Sequence, residues 1–208
     1  MQSVVQMPHF PLDPNGSDPR KKSNPVGERH HRLFFMLRPT TEAASEALEI
    51  AQAYRNAHSL TEPSRPRELL HVTLNGIGAY RRLPQDIVFG AEQVAATVRA
   101  RPFDLVLDEV ISFSHPGEPQ AFVICSRQEN EALLDLRRQI QEGLYEAGLP
   151  YNLGGHLTPH MTLLYDRKTV LPEKLNRPVQ WNIREFLLIH SIYGKSEHNV
   201  VGRWPLLG

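Results

Sequence analysis

Three of the ten histidines stand two residues before a threonine: His71-Val72-Thr73, His156-Leu157-Thr158 and His160-Met161-Thr162. Composition alone would give roughly one such triplet, so the pattern by itself is weak. Its physics is more telling. On an extended strand successive side chains point to opposite faces, so His71 and Thr73 share one face while Val72 and Leu74 share the other. His160 and Thr162 are related in the same way to Met161 and Leu163. Imidazole titrates near neutrality, so one ring can accept a proton while a second donates one. A threonine hydroxyl can donate to the nonbridging oxygens of a phosphate, where charge builds as the phosphorus centre reacts. In-line displacement at phosphorus needs a base beside the attacking oxygen and an acid beside the leaving one. His71 and His160 are therefore the candidate catalytic pair, and Thr73 and Thr162 the candidate phosphate ligands.

The elements that must position these residues recur in order. An apolar run, Leu33-Phe34-Phe35-Met36-Leu37, stops before Pro39 and reads as a buried strand. Ala44, Ala47, Leu48, Ala51 and Tyr54 then follow at helical spacing, and a proline-bearing loop leads to the His71 strand. The second half repeats the order. It has strands near 103–113 and 120–125, and a helix carrying Leu133, Leu136, Ile140 and Leu144 on one side. Ser126 and Glu129 have capping-box spacing before that helix. A loop with Gly154, Gly155 and Pro159 precedes the His160 strand, and two further strands are expected over 181–193 and 199–206. Phe34 precedes His71 by 37 residues and Phe122 precedes His160 by 38, which places both histidines in one slot of a repeat. Short strands, helices and hairpin-like links argue for an α+β fold. The expectation is a bilobal, duplicated domain over residues 30–208, with two antiparallel sheets flanked by helices around a central cleft.

Composition excludes several classes. Lys and Arg number 23 and Asp and Glu 23, so no basic excess marks a nonspecific grip on long nucleic acid. A lone cysteine, Cys125, rules out a disulfide framework and a cysteine-based zinc cluster. No apolar run is long enough to span a bilayer. Five of the 17 prolines fall in the first 27 residues with the basic run Arg20-Lys21-Lys22. Residues 1–29 read as a flexible, solvated tail rather than a secretory signal, and the expected location is cytoplasmic.

With the motifs in hand, the chain resembles the 2H phosphoesterases, in particular their RNA 2′,3′-cyclic phosphodiesterase branch, which is 2′-5′ RNA ligase-like and LigT-like. The resemblance rests on Arg32-Leu33-Phe34-Phe35, His71-Val72-Thr73-Leu74, Pro159-His160-Met161-Thr162-Leu163 and the spacing between them. It implies a bilobal fold, no metal or other cofactor, and hydrolysis of a cyclic phosphate to a 2′-phosphomonoester. RNA 3′ ends or small cyclic nucleotides are the implied partners, with His71 as acid and His160 as base. The branch carries an arginine near the phosphate where this chain has Tyr165, with Arg167 two residues further on.

Tyr80 and Arg81 follow the first motif and are candidates for stacking on a base and holding phosphate. His156 and Tyr165 are further candidates for substrate contact. His190 alternates with Phe186, Leu188 and Ile192 and reads as a satisfied histidine at the core edge, while His58, His115 and His198 carry no functional expectation. Zinc would need a third ligand near the motifs. Asp166 is the nearest, and strand parity is read as an obstacle to it. A 2H protein that binds RNA ends or nucleotides without turnover is the alternative function, against which both intact motifs argue.

Overall fold

Pro39 ends the first strand, and Thr40 starts the first helix by accepting a hydrogen bond from the Ala43 amide on its hydroxyl (3.2 Å). The computed structural model describes residues 31–113, 118–151, 157–192 and 194–207. In chain order the elements are β1 (His31–Leu37), α1 (Thr41–His58), a 3-10 turn (Arg67–Leu69), β2 (Val72–Tyr80) and α2 (Gln85–Thr97). They continue with β3 (Phe103–Phe113), β4 (Gln120–Cys125), α3 (Glu131–Glu146), β5 (His160–Asp166), β6 (Glu173–Ile183), β7 (Glu185–Ile192) and β8 (Glu197–Pro205). The expected tail, residues 1–29, lies outside the described residues.

The architecture is α+β, as expected, with three helices and one antiparallel sheet of eight strands in the order β6-β3-β4-β5-β2-β1-β7-β8. The expectation of two separate sheets is corrected here. β2 and β5, the two motif strands, pair through Val72 and Met161 and so join the halves into one sheet. Each half has the same layout about that seam. A motif strand comes first, then the strand that precedes the long helix (β1 or β4), then two strands of an outer hairpin or ladder.

One face of the sheet is the core. Leu33, Phe35, Leu37, Val72 and Leu74 join Phe122, Ile124, Met161 and Leu164 there, under Ala47 and Ala51 of α1, Val94 of α2 and Leu136 and Ile140 of α3. The helices cross the seam: α1 packs on β5 and β6, and α3 on β2 and β3. α2 and α3 approach closely because Gly143 has no side chain; a Cβ there would come within 2.7 Å of Val94 Cγ1. The opposite face holds two small apolar clusters, Met36-Leu187-Ile189 and Ala121-Val123-Cys125, one on either side of the seam.

Two local expectations change. Asn130, not Ser126, caps α3 by accepting from the Leu133 amide (3.0 Å), and the Ser126 hydroxyl instead takes the Gln128 amide (3.2 Å). The strand expected over 181–193 is two strands that meet at Arg184, the first already extended from Glu173.

Candidate active site

The first histidine is delivered by the 3-10 turn. Leu70 closes that turn with its amide on the Arg67 carbonyl (3.1 Å), and Leu70 and Val72 are both buried in the helix-side core. His71, between two anchored neighbours, projects from the other face and is itself only 7% exposed. Its Nδ1 lies 2.7 Å from the Leu69 carbonyl oxygen. A carbonyl only accepts, so Nδ1 carries the proton and Nε2 is the titrating atom. His160 repeats the device, with Nδ1 2.8 Å from the carbonyl oxygen of Thr158, again two residues upstream.

The seam brings the motifs together. Val72 and Met161, the middle residues of the two triplets, are the pair at which β2 meets β5. In an antiparallel register the next positions outward set His71 against Thr162 and Thr73 against His160. The histidines thus occupy one diagonal and the threonines the other. Strand spacing and rise put the two histidine Cα atoms roughly 8 Å apart. On the flanks, Thr73 lies opposite Met36, and His160 and Thr162 lie opposite Cys125 and Val123, all on the face away from the helices.

A bulge decides which later residues of β5 join them. Between Val123 and Phe122 the β4 register skips Leu163, so that Tyr165 falls opposite Ala121 on the histidine face. Plain alternation sends Tyr165 to the core side, and Asp166, an even number of residues from His160 and Thr162, onto their face. The parity reading of Asp166 is therefore corrected: the bulge, not alternation, turns it away. Its carboxylate instead accepts from the amides of Thr61 (2.7 Å), Glu62 (3.1 Å) and Lys168 (2.9 Å) and from the Thr61 hydroxyl (3.3 Å). Burial pushes its pKa up, but these donors outweigh burial and hold it below the usual carboxylate value. Among the described residues no group of three or more His, Cys, Asp or Glu side chains gathers as metal ligands would.

Tyr165 has a companion that the sequence reading missed. The Arg65 guanidinium lies 5.8 Å from the centre of the Tyr165 ring, and Arg65 is only 6% exposed. Its amide bonds the Leu163 carbonyl (2.7 Å) at the bulge, which is how a loop residue reaches β5. Arg167 is exposed beyond the end of β5.

The structure does not bring Tyr80 and Arg81 to the histidines. Tyr80 ends β2, nine residues from His71, and packs against the helix-side core; its ring folds back over Gly78. Arg81 is exposed just beyond the strand. His156 lies outside the described residues, as does His115. His190 behaves as expected, half-buried and 2.8 Å from the His31 ring nitrogen. Its pKa is lowered by burial and by the His31 charge.

His198, which the sequence gives no role, sits against the first motif. Its ring centroid is 5.0 Å from that of His71, at 77°, and 5.6 Å from Phe34, which in turn lies 5.6 Å from His71. On the other side of the seam Phe113 stands 5.0 Å from His160, at 70°. Cys125 neighbours His160 but is no nucleophile, since burial and the Glu109 charge push its thiol up to about 12.

Known proteins share this fold. The 2′-5′ RNA ligase superfamily model matches residues 39–191, which include both motifs. A search of curated protein sequences finds no match. Among solved structures, E. coli LigT in apo form aligns with a TM-score of 0.68 at 22% identity, over 87% of this chain and 99% of that one. TT0787 of Thermus thermophilus gives 0.68 at 21% identity, over 85% and 98%. E. coli LigT complexed with 3′-AMP gives 0.65 at 22%, over 87% and 99%. At these identities the likeness shows the fold.

Proposed function

Because this chain belongs to the 2′-5′ RNA ligase superfamily and is a LigT-like 2H phosphoesterase, we propose that it hydrolyses 2′,3′-cyclic phosphate ends of RNA or nucleotides to 2′-phosphates. The scheme calls on no metal, and 2′-5′ ligation is the same displacement with an RNA 5′-hydroxyl in place of water as the attacking group. One observation carries the reading. Two histidines, each with Nδ1 fixed to a main-chain carbonyl, stand diagonally across the seam from each other, with two threonines on the other diagonal. That a LigT structure holds 3′-AMP supports a nucleotide as the ligand class. The common layout of the two halves is read as an old duplication, with the substrate in a cleft along the seam. A cytoplasmic setting is part of the same proposal.

The reaction needs one proton taken and one given. A water oxygen attacks phosphorus and gives its proton to His160 Nε2. The bond from phosphorus to the ribose O3′ breaks, and O3′ takes a proton from His71 Nε2. The Thr73 and Thr162 hydroxyls donate to the two nonbridging oxygens, on which charge grows during attack. Tyr165 lies on the same face and supplies a surface for a base or ribose.

Turnover of 2′,3′-cyclic nucleotides and cyclic-phosphate-ended RNA in EDTA tests this, with the product identified as a 2′-phosphate by ³¹P NMR. Substrate binding without turnover establishes the binding-module alternative, and activity that chelation abolishes and zinc restores replaces the metal-free scheme. A substrate with an activated aryl leaving group should rescue His71→Ala far more than His160→Ala, because a weakly basic oxygen departs without a proton.

A further inference from the structure

We propose that His198 is the positioning residue of His71: its ring, edge-on against the His71 imidazole, fixes the direction in which Nε2 meets the substrate. The inference rests on the acid–base reading of His71 above. The hydrogen bond at Nδ1 pins one corner of a five-membered ring, and the rings packed against the imidazole set how far its plane tilts about that corner. Two neighbouring rings limit this freedom. His198 stands at 77° to the His71 ring with centroids 5.0 Å apart, and Phe34 packs beside His198, 5.6 Å from His71. Phe34 and His198 also touch each other at 78°, so the three rings brace one another. Edge-to-face contacts at these separations are attractive as well as space-filling.

His160 provides the second, independent observation. It has the same carbonyl lock two residues upstream and the same edge-on wall at 5.0 Å, here Phe113 of β3. The two walls come from different strands, β8 and β3, which are reached by different routes through the chain. Equal restraint of both histidines, from unrelated segments, is what a site that depends on ring direction requires. Both nitrogens of His198 are shut off from solvent, and the role proposed for it is carried through the His71 ring. Phe113 shows further that the wall need not be a titrating ring. His198 also lies beyond residues 39–191, the stretch that the family model covers.

Full-length wild type, His198→Ala and His198→Phe are compared on 2′,3′-cyclic AMP, with melting temperatures as a control for folding. Misdirection of one catalytic group should lower kcat of His198→Ala by about tenfold to a hundredfold with KM unchanged, and His198→Phe should restore it to within about threefold. Long-range ¹H–¹⁵N spectra of the imidazoles, assigned with His71→Gln, give a readout that needs no turnover. The His71 signals should keep the Nδ1–H tautomer in wild type and His198→Phe, and average towards both tautomers in His198→Ala. Unchanged kcat and unchanged His71 signals in His198→Ala overturn the proposal. So does a His198→Phe variant as slow as His198→Ala, because the nitrogens and not the wall would then matter. Should the wild type turn over nothing while the His71 signals still average in His198→Ala, the hydrolase reading falls and the positioning role stands.

Discussion

Replacing Asp166 with asparagine tests how the two motif strands are tied together. The Asp166 carboxylate, in a residue only 2% exposed, accepts four hydrogen bonds. Three come from Thr61 and Glu62, in the loop that leaves α1 and runs into the 3-10 turn before His71. Asp166 itself ends the strand that begins at His160, so the carboxylate clips the approach to one motif onto the strand of the other. Asparagine is nearly the same size but has one acceptor oxygen, no charge, and an NH₂ group that must face an N–H donor. Hydrogen bonds to charged acceptors contribute about 1.5–3 kcal/mol each, and a buried donor left facing a donor costs about 1–3 kcal/mol more. Losing the charge and one bond outright should therefore destabilise the protein by about 2–4 kcal/mol, read from urea unfolding at pH 7. The pH dependence has a definite sign. The folded-state pKa is held below 3.8, so the stabilisation is complete above that value and is lost as pH falls through the folded pKa. The gap between wild type and Asp166→Asn should narrow in acid. A loss under about 0.5 kcal/mol at pH 7, the scale of an ordinary surface substitution, would refute the clip. A gap that does not change in acid would refute the assigned protonation state.

Two further outcomes follow from the site. Thr73→Val and Thr162→Val keep shape and strand preference but remove a donor, so each should lower kcat about tenfold to a thousandfold, the scale of losing one transition-state hydrogen bond. Unchanged kcat in both, with melting temperature retained, would make the threonines structural. Cys125 is fully buried with its thiol pushed up to about 12, so native protein at pH 8 should not react with a thiol reagent, while unfolded protein should show one reactive group. Rapid labelling of the native form would show that the strand beside His160 opens readily.

The motif face was legible because it depends only on local alternation. Leu70, Val72 and Leu74 had to enter the core, so His71 and Thr73 had to leave it, and all three of those apolar residues are fully buried. Helices α1 and α3 were legible for the same reason, from apolar positions three and four apart. What could not be read was anything set by pairing between distant segments. The Leu163 bulge exists only because β5 and β4 run out of register, and it reverses the faces of Tyr165 and Asp166. Single-strand parity gives the wrong answer for both. Arg65 and His198 were missed for a related reason. One reaches the site through a main-chain bond to Leu163, the other through two strands of register from β1 across β7 to β8. Neither path leaves a periodic mark. The single sheet was hidden in the same way, since one pair, Val72 with Met161, decides between one sheet and two.

That one pair also explains how an internally repeated site can act unsymmetrically. Binding a phosphate across the seam asks the same thing of both halves, a hydroxyl on each side and an imidazole held at Nδ1, and the two halves supply it by the same device. Acid and base catalysis asks for opposite protonation of the two imidazoles at one moment, which identical surroundings would not favour. The surroundings that differ are the walls: an imidazole and Phe34 beside His71, a phenyl ring and a neutral thiol beside His160. Phe34 and Cys125 belong to β1 and β4, beside the motif strands, but His198 and Phe113 come from β8 and β3, which lie outside the repeated motifs. On the proposed reading, the repeated segments of β2 and β5 hold the phosphate, and the unrepeated residues of β3 and β8 set the acid apart from the base.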